Sequence, residues 1–550
     1  MKIFVAAAAL AASSLVSAAP ARAGESEDFA GCDGLRKPKS KDDGMRGVAS
    51  VPGTGVSFGG KDTQAAGIIA ACTRALTGGK LLPTQTVRQA HLLRARAAAK
   101  LRLGASADAL ADLDAAETAI AAQRGEVFLE RSLGASLSLL RAIALVQQDK
   151  SAEAAPLADV AAERRPYAVQ VQLAAAMIRE TARLGDASVD PRWARLVRLN
   201  PELAANLITL ETGQGRYDSA VSIARAAPLR TPTLARDAEG AEKFLALGRH
   251  GTALLDTVGA GYDLAYAMAA TGDVVGARAE IAKAQASYGV LSGSSIGAAG
   301  LTPAAGGNAA ASTPGGMSAD RERLVEARIA LAERRIADVE KLVASPLPLG
   351  AAARDLHAAL YAAKGEKTVS IAPSPAMDPA AARRKAIGQL TTTAMIAHET
   401  PQSADYKKSR PNVLAAVVGA AFSLGTNLLS GIPKTQGFKE TAAADGTIVV
   451  EYTGSMPSAP MVQEMTLLRA AEIAKAGGKP GFAIVAREDY SRMLTQTQYG
   501  RTLSQTPAGH KTLLTIRLLD SAETARAQGF EAAAVIDQLG PLYYEDKPRA

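Results

Sequence analysis

The sequence predicts a mostly α-helical protein built from repeated helical hairpins, followed by a small C-terminal α+β domain. Three observations carry that prediction. Residues 61 to 290 are dominated by Ala, Leu, Arg and Glu, with apolar residues three and four apart, the period of amphipathic helices. Within that stretch a turn residue is followed five positions later by Ala, then by small or aliphatic residues four and seven further on. After residue 438 the apolar period shortens to that of strands.

The chain opens on an export signal. Lys2 supplies a short positive region, Ile3 to Val16 is apolar, and Ala21-Arg22-Ala23 fits the small-x-small cleavage rule, so residues 1–23 are read as a signal peptide and Gly24 as the first mature residue. That places the protein in the periplasm or cell envelope. The remaining 527 residues exceed what one core organises, and several units are expected. Of the net charge of +8, Lys2 and Arg22 account for two, leaving +6. Acids and bases are interspersed, which describes a solvated helical surface and suits a protein or peptide partner rather than a nucleic acid.

Residues 24–60 form an N-terminal extension that contains Cys32; the second and last cysteine, Cys72, opens the helical region. An even count in an oxidising compartment argues for one disulfide, closing a loop of about 40 residues and contributing about 3 to 4 kcal/mol. Phe29-Ala30-Gly31-Cys32 has the form of a lipidation signal, but Glu25, Glu27 and Asp28 separate it from the apolar region that such a signal must follow.

The repeat pattern occurs as Gly104, Ala109, Leu113, Ala116; as Asp149, Ala154, Ala158, Ala161; as Gly215, Ala220, Ala224, Ala227; and as Gly272, Ala277, Ile281, Ala284. Pro166, Pro201 and Pro232 are spaced by 35 and 31 and read as helix stops. These positions resemble the tetratricopeptide repeat, whose second helix uses small residues so that paired helices approach closely. Ile68 to Leu76, IIAACTRAL, is similar to the opening helix of exported alphaproteobacterial repeat proteins, in which an upstream cysteine pairs with the cysteine of this helix. That resemblance implies the same Cys32–Cys72 bridge.

Residues 291–318 are rich in Gly, Ala and Ser and read as a flexible linker. Residues 319–410 carry further helices, near 319–343, 349–364 and 380–398. The apolar stretch 411–432 contains 20 uncharged residues at 413–432, enough to cross a bilayer, but Lys407, Lys408 and Arg410 would prefer the cytoplasmic side of a segment whose N-terminal flank is exported. A buried or partner-covered helix is the reading, with a membrane-surface contact as the alternative.

In the 438–545 domain, Thr447–Tyr452, Gly481–Ala486 and Lys511–Leu519 read as strands, with helices near 461–477 and 529–539. TIVVEYTG followed by TLLRAAEIAKAGGKPGFAIV resembles the C-terminal region of a family of proteobacterial envelope lipoproteins. The match rests on Tyr452, Gly454, Leu468, Arg469, Ala470, Ala471, Glu472, Phe482 and Val485. The lipidated N-terminal cysteine of that family has no counterpart here. The resemblance implies an envelope location and singles out Arg469 and Glu472, i and i+3 on one helix, as candidate binding residues.

No catalytic signature stands out. Gly293-Ser294-Ser295-Ile296-Gly297 has the form of a hydrolase nucleophile elbow, but without the strand and helix that elbow needs. Gly53-Thr54-Gly55 with Gly59 lacks the context of a dinucleotide loop. His91, His250, His357, His398 and His510 are scattered, and Asp355 and His357 do not share a helix face, so no metal site and no cofactor are expected. The function expected is an envelope scaffold that binds a protein or peptide. The alternatives are an envelope hydrolase acting in the C-terminal domain and a structural outer-membrane-associated factor using 413–432.

Overall fold

The computed structural model of the chain describes residues 25–39, 41–46, 48, 62–182, 191–230, 240–293, 314–345, 347, 350–366, 387–401, 406, 437–455, 458–498, 501–525 and 529–544. Residues 1–23, expected to be a signal peptide, Gly53 to Gly59, residues 294–313 of the expected linker and the apolar segment 411–432 lie outside the described residues. The described residues are mostly helical, with a five-stranded antiparallel sheet near the C-terminus.

The N-terminal extension begins as helix α1 (Glu25–Asp33), which packs on α2 (Asp62–Thr77) and α3 (Thr86–Arg102). The Cys32–Cys72 disulfide joins α1 to α2, 40 residues apart. Both cysteines are buried in one core with Phe29, Ile68, Ala71 and Leu92, and Arg88 lies over the Phe29 ring.

From α3 onward helices pair with their neighbours in sequence: α3 with α4 (Ser106–Ala119), α5 (Ala135–Gln147) with α6 (Ser151–Arg164), α9 (Ala204–Gly213) with α10 (Tyr217–Ala226), and α11 (Gly240–Ala270) with α12 (Val274–Gly293). Helices α7 (Val169–Ala182) and α8 (Pro191–Leu199) lie between the second and third of these pairs in sequence. Each of these four hairpins turns at a residue with a positive φ: Gly104 (78°), Asp149 (60°), Gly215 (75°) and Gly272 (92°). These are the turn residues singled out from sequence. A fifth, Arg334 (59°), joins α13 (Pro314–Ala332) to α14 (Ile336–Val343). In every case the following amide donates back to the carbonyl five residues earlier: Ala105 to Lys100, Lys150 to Leu145, Arg216 to Glu211, Asp273 to Met268, Arg335 to Ala330. That bond satisfies an orphan carbonyl at the helix end, and only a left-handed residue lets the chain make it. Five positions after the turn, Ala109, Ala154, Ala220, Ala277 and Val339 have no exposed surface. The small side chain there admits the preceding helix.

The later helical region departs from the expected bounds. Both ends of the linker expected over 291–318 are helical instead, since α12 runs to Gly293 and α13 starts at Pro314. The stretch 319–343 is broken at Arg334, and α15 (Ala351–Lys364) follows. The helix expected over 380–398 survives among the described residues only at 387–389 and at Thr391–Ala394. Residues 395–400 have no regular secondary structure, and the backbone here is tied to the earlier helices: Ala394 O accepts from Ser136 and Ile396 O from Arg94.

The sheet has the order β1-β2-β4-β3-β5, with β1 (Gly437–Ala442), β2 (Ile448–Gly454), β3 (Gly481–Gln498), β4 (Arg501–Leu519) and β5 (Phe530–Glu531). The expected strands at 481–486 and 511–519 are only the apolar ends of β3 and β4. Their ladder continues to Gln498 and Arg501 through polar sequence that carries no hydrophobic alternation. The edge strand β1 is polar as well.

Helix α16 (Ala459–Ala476) is capped by Ser458, whose Oγ accepts from Met461 N at 3.2 Å. It is buried without interruption from Pro460 to Ala474 because it lies between the sheet, α18 (Ala532–Tyr543) and α7. The short helix α17 (Ser521–Ala525) follows β4. One hydrophobic core runs through Trp193, Leu196, Leu207 and Ile223 of the helices and Met461, Leu468, Phe482 and Val535 of the sheet region. The sheet therefore shares its core with α7–α10.

Candidate functional site

Two features at the seam between helices and sheet organise the candidate site: a buried set of charges that locks the two together, and an arginine-lined cleft beside it.

Five segments supply the lock. Arg131 comes from the wide π-type turn Glu130–Gly134 ahead of α5, Arg165 from the end of α6, Glu399 from the irregular stretch 395–400, Glu464 from α16 and Tyr543 from α18. Arg165 Nη1 is 2.6 Å from Glu399 Oε2 and its Nε is 3.0 Å from Glu464 Oε1; none of these three side chains has exposed surface. Arg131 Nη2 meets Glu464 Oε2 at 2.6 Å, Tyr543 donates to the same oxygen at 2.7 Å, and Ser458 donates to Glu399. Two cations balance two anions. Burial would push Glu464 up, but Arg131 and Arg165 outweigh it and hold the carboxyl below its ordinary range. Burial likewise works against Arg165, and Glu399 and Glu464 raise it. Burial and Glu464 push the Tyr543 hydroxyl well up, so it stays a donor. Both partners of the Arg165–Glu464 pair are thus held charged.

Further bonds close the same seam. Arg487 of β3 pairs with Asp489 at 2.7 Å and donates to Leu199 O of α8 at 3.2 Å, and Gln463 of α16 accepts from Val169 N of α7 at 3.1 Å. Arg469 and Glu472 do form an ion pair, at 2.8 Å. Arg469 also donates to Glu440 of β1, and Tyr544 donates to Glu472 at 2.8 Å. The Arg469 side chain has no exposed surface, so the pair fastens β1 and the C-terminal end to α16.

The cleft lies between α8, the turn Pro201–Leu203, the end of α10 and the sheet. It is lined by Val197, Arg198, Pro201, Arg225, Pro228 and Arg230 on the helical side and by Ala483, Ile484 and Arg517 on the sheet, and its volume, counting its open mouth, is about 600 Å³. Arg198 is half-buried; burial and the nearby Arg195 lower its pKa. Arg517 pairs with Glu523 at 2.6 Å. Arg225 and Arg230 are exposed and make no ion pair among the described residues. Most other arginines of the fold face a carboxylate, so four arginines against one acid mark the cleft as distinct.

Two of the scattered histidines prove adjacent. His91 and His398 are ring neighbours at 5.4 Å, and Arg94 donates to His91 Nδ1 at 3.0 Å, which leaves the proton of the neutral ring on Nε2. Burial, then Arg94, lowers the His91 pKa well below its ordinary value, and burial lowers His398. Asp33 and Arg88 pair there at 2.8 Å. No group of acids, histidines and cysteines fit to hold a metal occurs among the described residues.

His510 stands on β4 opposite Ser491 of β3, and Asp489 is near enough to act on it. The Asp489 oxygens already accept from Arg487, Gln463 and Thr512, and among the described residues no hydrogen bond joins Ser491 to His510. Asp355, on α15, accepts from Tyr266 at 2.8 Å in a separate buried cluster. Gly293 closes α12, and the rest of the Gly293 to Gly297 elbow lies outside the described residues.

The sequence singled out the disulfide and the Arg469–Glu472 pair. It missed the lock and the cleft, whose residues come from segments hundreds of positions apart and carry side chains common on any helical surface. Comparison of the chain with family models, curated proteins and solved structures finds no match in any of the three.

Proposed function

We propose that this chain is an exported scaffold: a tetratricopeptide-like array of helical hairpins fused to a C-terminal sheet, binding a protein or peptide partner in the periplasm or at the envelope. The export signal supports the compartment, and the recurring turn at Gly104, Asp149, Gly215, Gly272 and Arg334 supports the array. The observation that carries the reading is the lock of Arg131, Arg165, Glu399 and Glu464. A scaffold must present its surfaces in constant relation, and buried, mutually satisfied charges accept only one arrangement of the elements that bear them. Among the described residues no helix is long and apolar enough to cross a membrane.

Chemical crosslinking in intact cells followed by pull-down tests this. A stable protein neighbour at near-stoichiometric yield is expected, and its absence in growing and in stressed cells would remove the reading.

A second reading, an envelope hydrolase, draws on Ser491, His510 and Asp489 sharing one face of the β3–β4 ladder. Labelling with a fluorophosphonate probe decides it: modification of Ser491 in the folded protein would favour the enzyme.

A further inference from the structure

Two adjacent residues of the irregular stretch 395–400 belong to two different charged sites. His398 meets His91 of α3 edge to face, with ring centroids 5.4 Å apart, and the next residue, Glu399, sits in the lock, where it accepts from Arg165 at 2.6 Å and from Ser458. Just before them, Ile396 O accepts from Arg94 Nη1 at 2.5 Å. Arg94 holds the stretch and the histidine at once, since its Nη2 donates to His91 Nδ1 at 3.0 Å. That nitrogen is the one an added proton would take, because the other carries the hydrogen of the neutral ring. Protonation then replaces a buried hydrogen bond by two like charges at the same distance.

The charges around the two rings are already balanced. Arg88 and Arg94 of α3 bear on His91; Asp33 of α1 faces Arg88 at 2.8 Å, and Asp43 of the N-terminal extension bears on His398. Among the described residues two cations thus meet two anions while the rings are neutral, and either imidazolium leaves an excess of positive charge in a buried site. Movement of the stretch relieves it with least loss of structure: residues 395–400 have no helix or ladder of their own to break, whereas α3 is packed on α1, α2 and α4. Ile396 and Glu399 are three residues apart, at most about 10 Å of chain, so a stretch that leaves Arg94 pulls on Glu399.

We propose that residues 395–400 form an acid-released strap: protonation of His91 and His398 frees it from α3, Glu399 leaves Arg165 with it, and the lock between helices and sheet loosens. The strap is the element with two arrangements, and the histidines and the lock both bias it. Burial, with Arg94 adding to it, lowers the pKa of both histidines, so the docked strap binds fewer protons than the released one. It is fully held above about pH 6.5 and gives way below it. With an ordinary value of about 6.5 in the released form, each histidine moves the released-to-docked ratio about tenfold between pH 7.5 and pH 5.5, and two move it about a hundredfold. Ser458 carries the change into α16, since its Oγ donates to Glu399 and caps the helix by accepting from Met461 N at 3.2 Å. This goes beyond the scaffold reading and needs no partner, so its failure would leave that reading untouched.

Hydrogen exchange of the full mature chain at pH 7.5 and pH 5.5, expressed as protection factors so that the intrinsic pH dependence of exchange cancels, reads the strap directly. Protection over 391–400, where Ala394 N donates to Leu390 O and Met395 N to Thr392 O, should fall by at least about tenfold. The first turn of α16 should follow, while α11 and α12, outside strap and lock, keep their protection. H91Q/H398Q should remove the fall. H398Q alone, at a half-buried position where folding is not at risk, should reduce it to about tenfold or less. Glu399→Gln weakens the far hold of the strap and should move its release to higher pH, because coupling acts in both directions. Equal protection at the two pH values, a fall that persists undiminished in both histidine variants, or a release pH unmoved by E399Q would each overturn the proposal. So would a strap that frees while the first turn of α16 stays protected. A fall of the same size in α11 and α12 would also remove it, since acid would then be unfolding the whole chain.

Discussion

Arg165 Nε lies 3.0 Å from Glu464 Oε1 with neither side chain exposed, although 299 residues separate the two in sequence. Such a pair gains little over an apolar contact of the same shape, but losing one member strands a buried charge. Glu464→Gln keeps the shape and leaves Arg131 and Arg165 facing Glu399 alone; a loss of about 3 to 5 kcal/mol in urea unfolding is expected. Arg165→Met should cost a similar amount, and the double variant less than the sum, because each change removes the partner that the other leaves unpaired. Because Glu464 is held below its ordinary value of 4.5, its contribution is complete above that pH and disappears as pH falls through the lower folded value.

The histidine pair predicts acid sensitivity at a higher pH. His91 and His398 are both shifted down from 6.5, by burial first and with Arg94 adding to it, Arg88 also bearing on His91; Asp43 works against the shift at His398. A base with a lowered folded pKa binds fewer protons in the native state, so its contribution is complete above about pH 6.5 and is lost as pH falls below that value. The melting temperature of the wild type should drop between pH 7.5 and pH 5.5. His91→Gln, which keeps an acceptor for Arg94 and does not titrate, should flatten that drop. An unchanged profile in the variant would show that the acid sensitivity arises elsewhere.

Two glycines, two residues apart, should respond to alanine with opposite signs. Gly213 closes α9 and Gly215 has φ of 75° at the turn into α10; a Cβ at either meets nothing within 4 Å. Gly213→Ala therefore gains helix propensity, about 0.5 kcal/mol, and Gly215→Ala loses about 1 kcal/mol to the left-handed backbone. Thermal unfolding of the two variants measures both, and the same sign for both would contradict the shared turn geometry.

Removing the disulfide should loosen one end of the molecule. The bridge closes a loop of 40 residues, and Cys32→Ser with Cys72→Ser should cost about 3 kcal/mol. Hydrogen exchange should quicken in α1, α2 and α3, which surround the bridge, and leave α16 and the sheet unchanged. Acceleration spread evenly over the chain would mean that the unit is not local.

What the sequence determines by itself is local chemistry. The turn at Gly104, Asp149, Gly215 and Gly272 with a buried alanine five residues on is visible because a left-handed residue and a small contact residue recur at fixed spacing. Arg334 with Val339 escaped notice because neither residue is of the expected kind, although the backbone is the same. The two cysteines announced their bridge by being the only two. Tertiary structure decided the rest. The polar halves of β3 and β4 carry no hydrophobic alternation to mark them as strands, and β5 is two residues long. Arg131, Arg165, Glu399 and Glu464 look like ordinary residues of a solvated helical surface, and so do Arg198, Arg225, Arg230 and Arg517. The first four are buried and paired, and the second four ring a cleft, because α7–α10 share a core with the sheet. Spacing along the chain records which backbone shape a segment prefers. It does not record which segment will press against it, and a charge becomes a lock or a site only through that second fact.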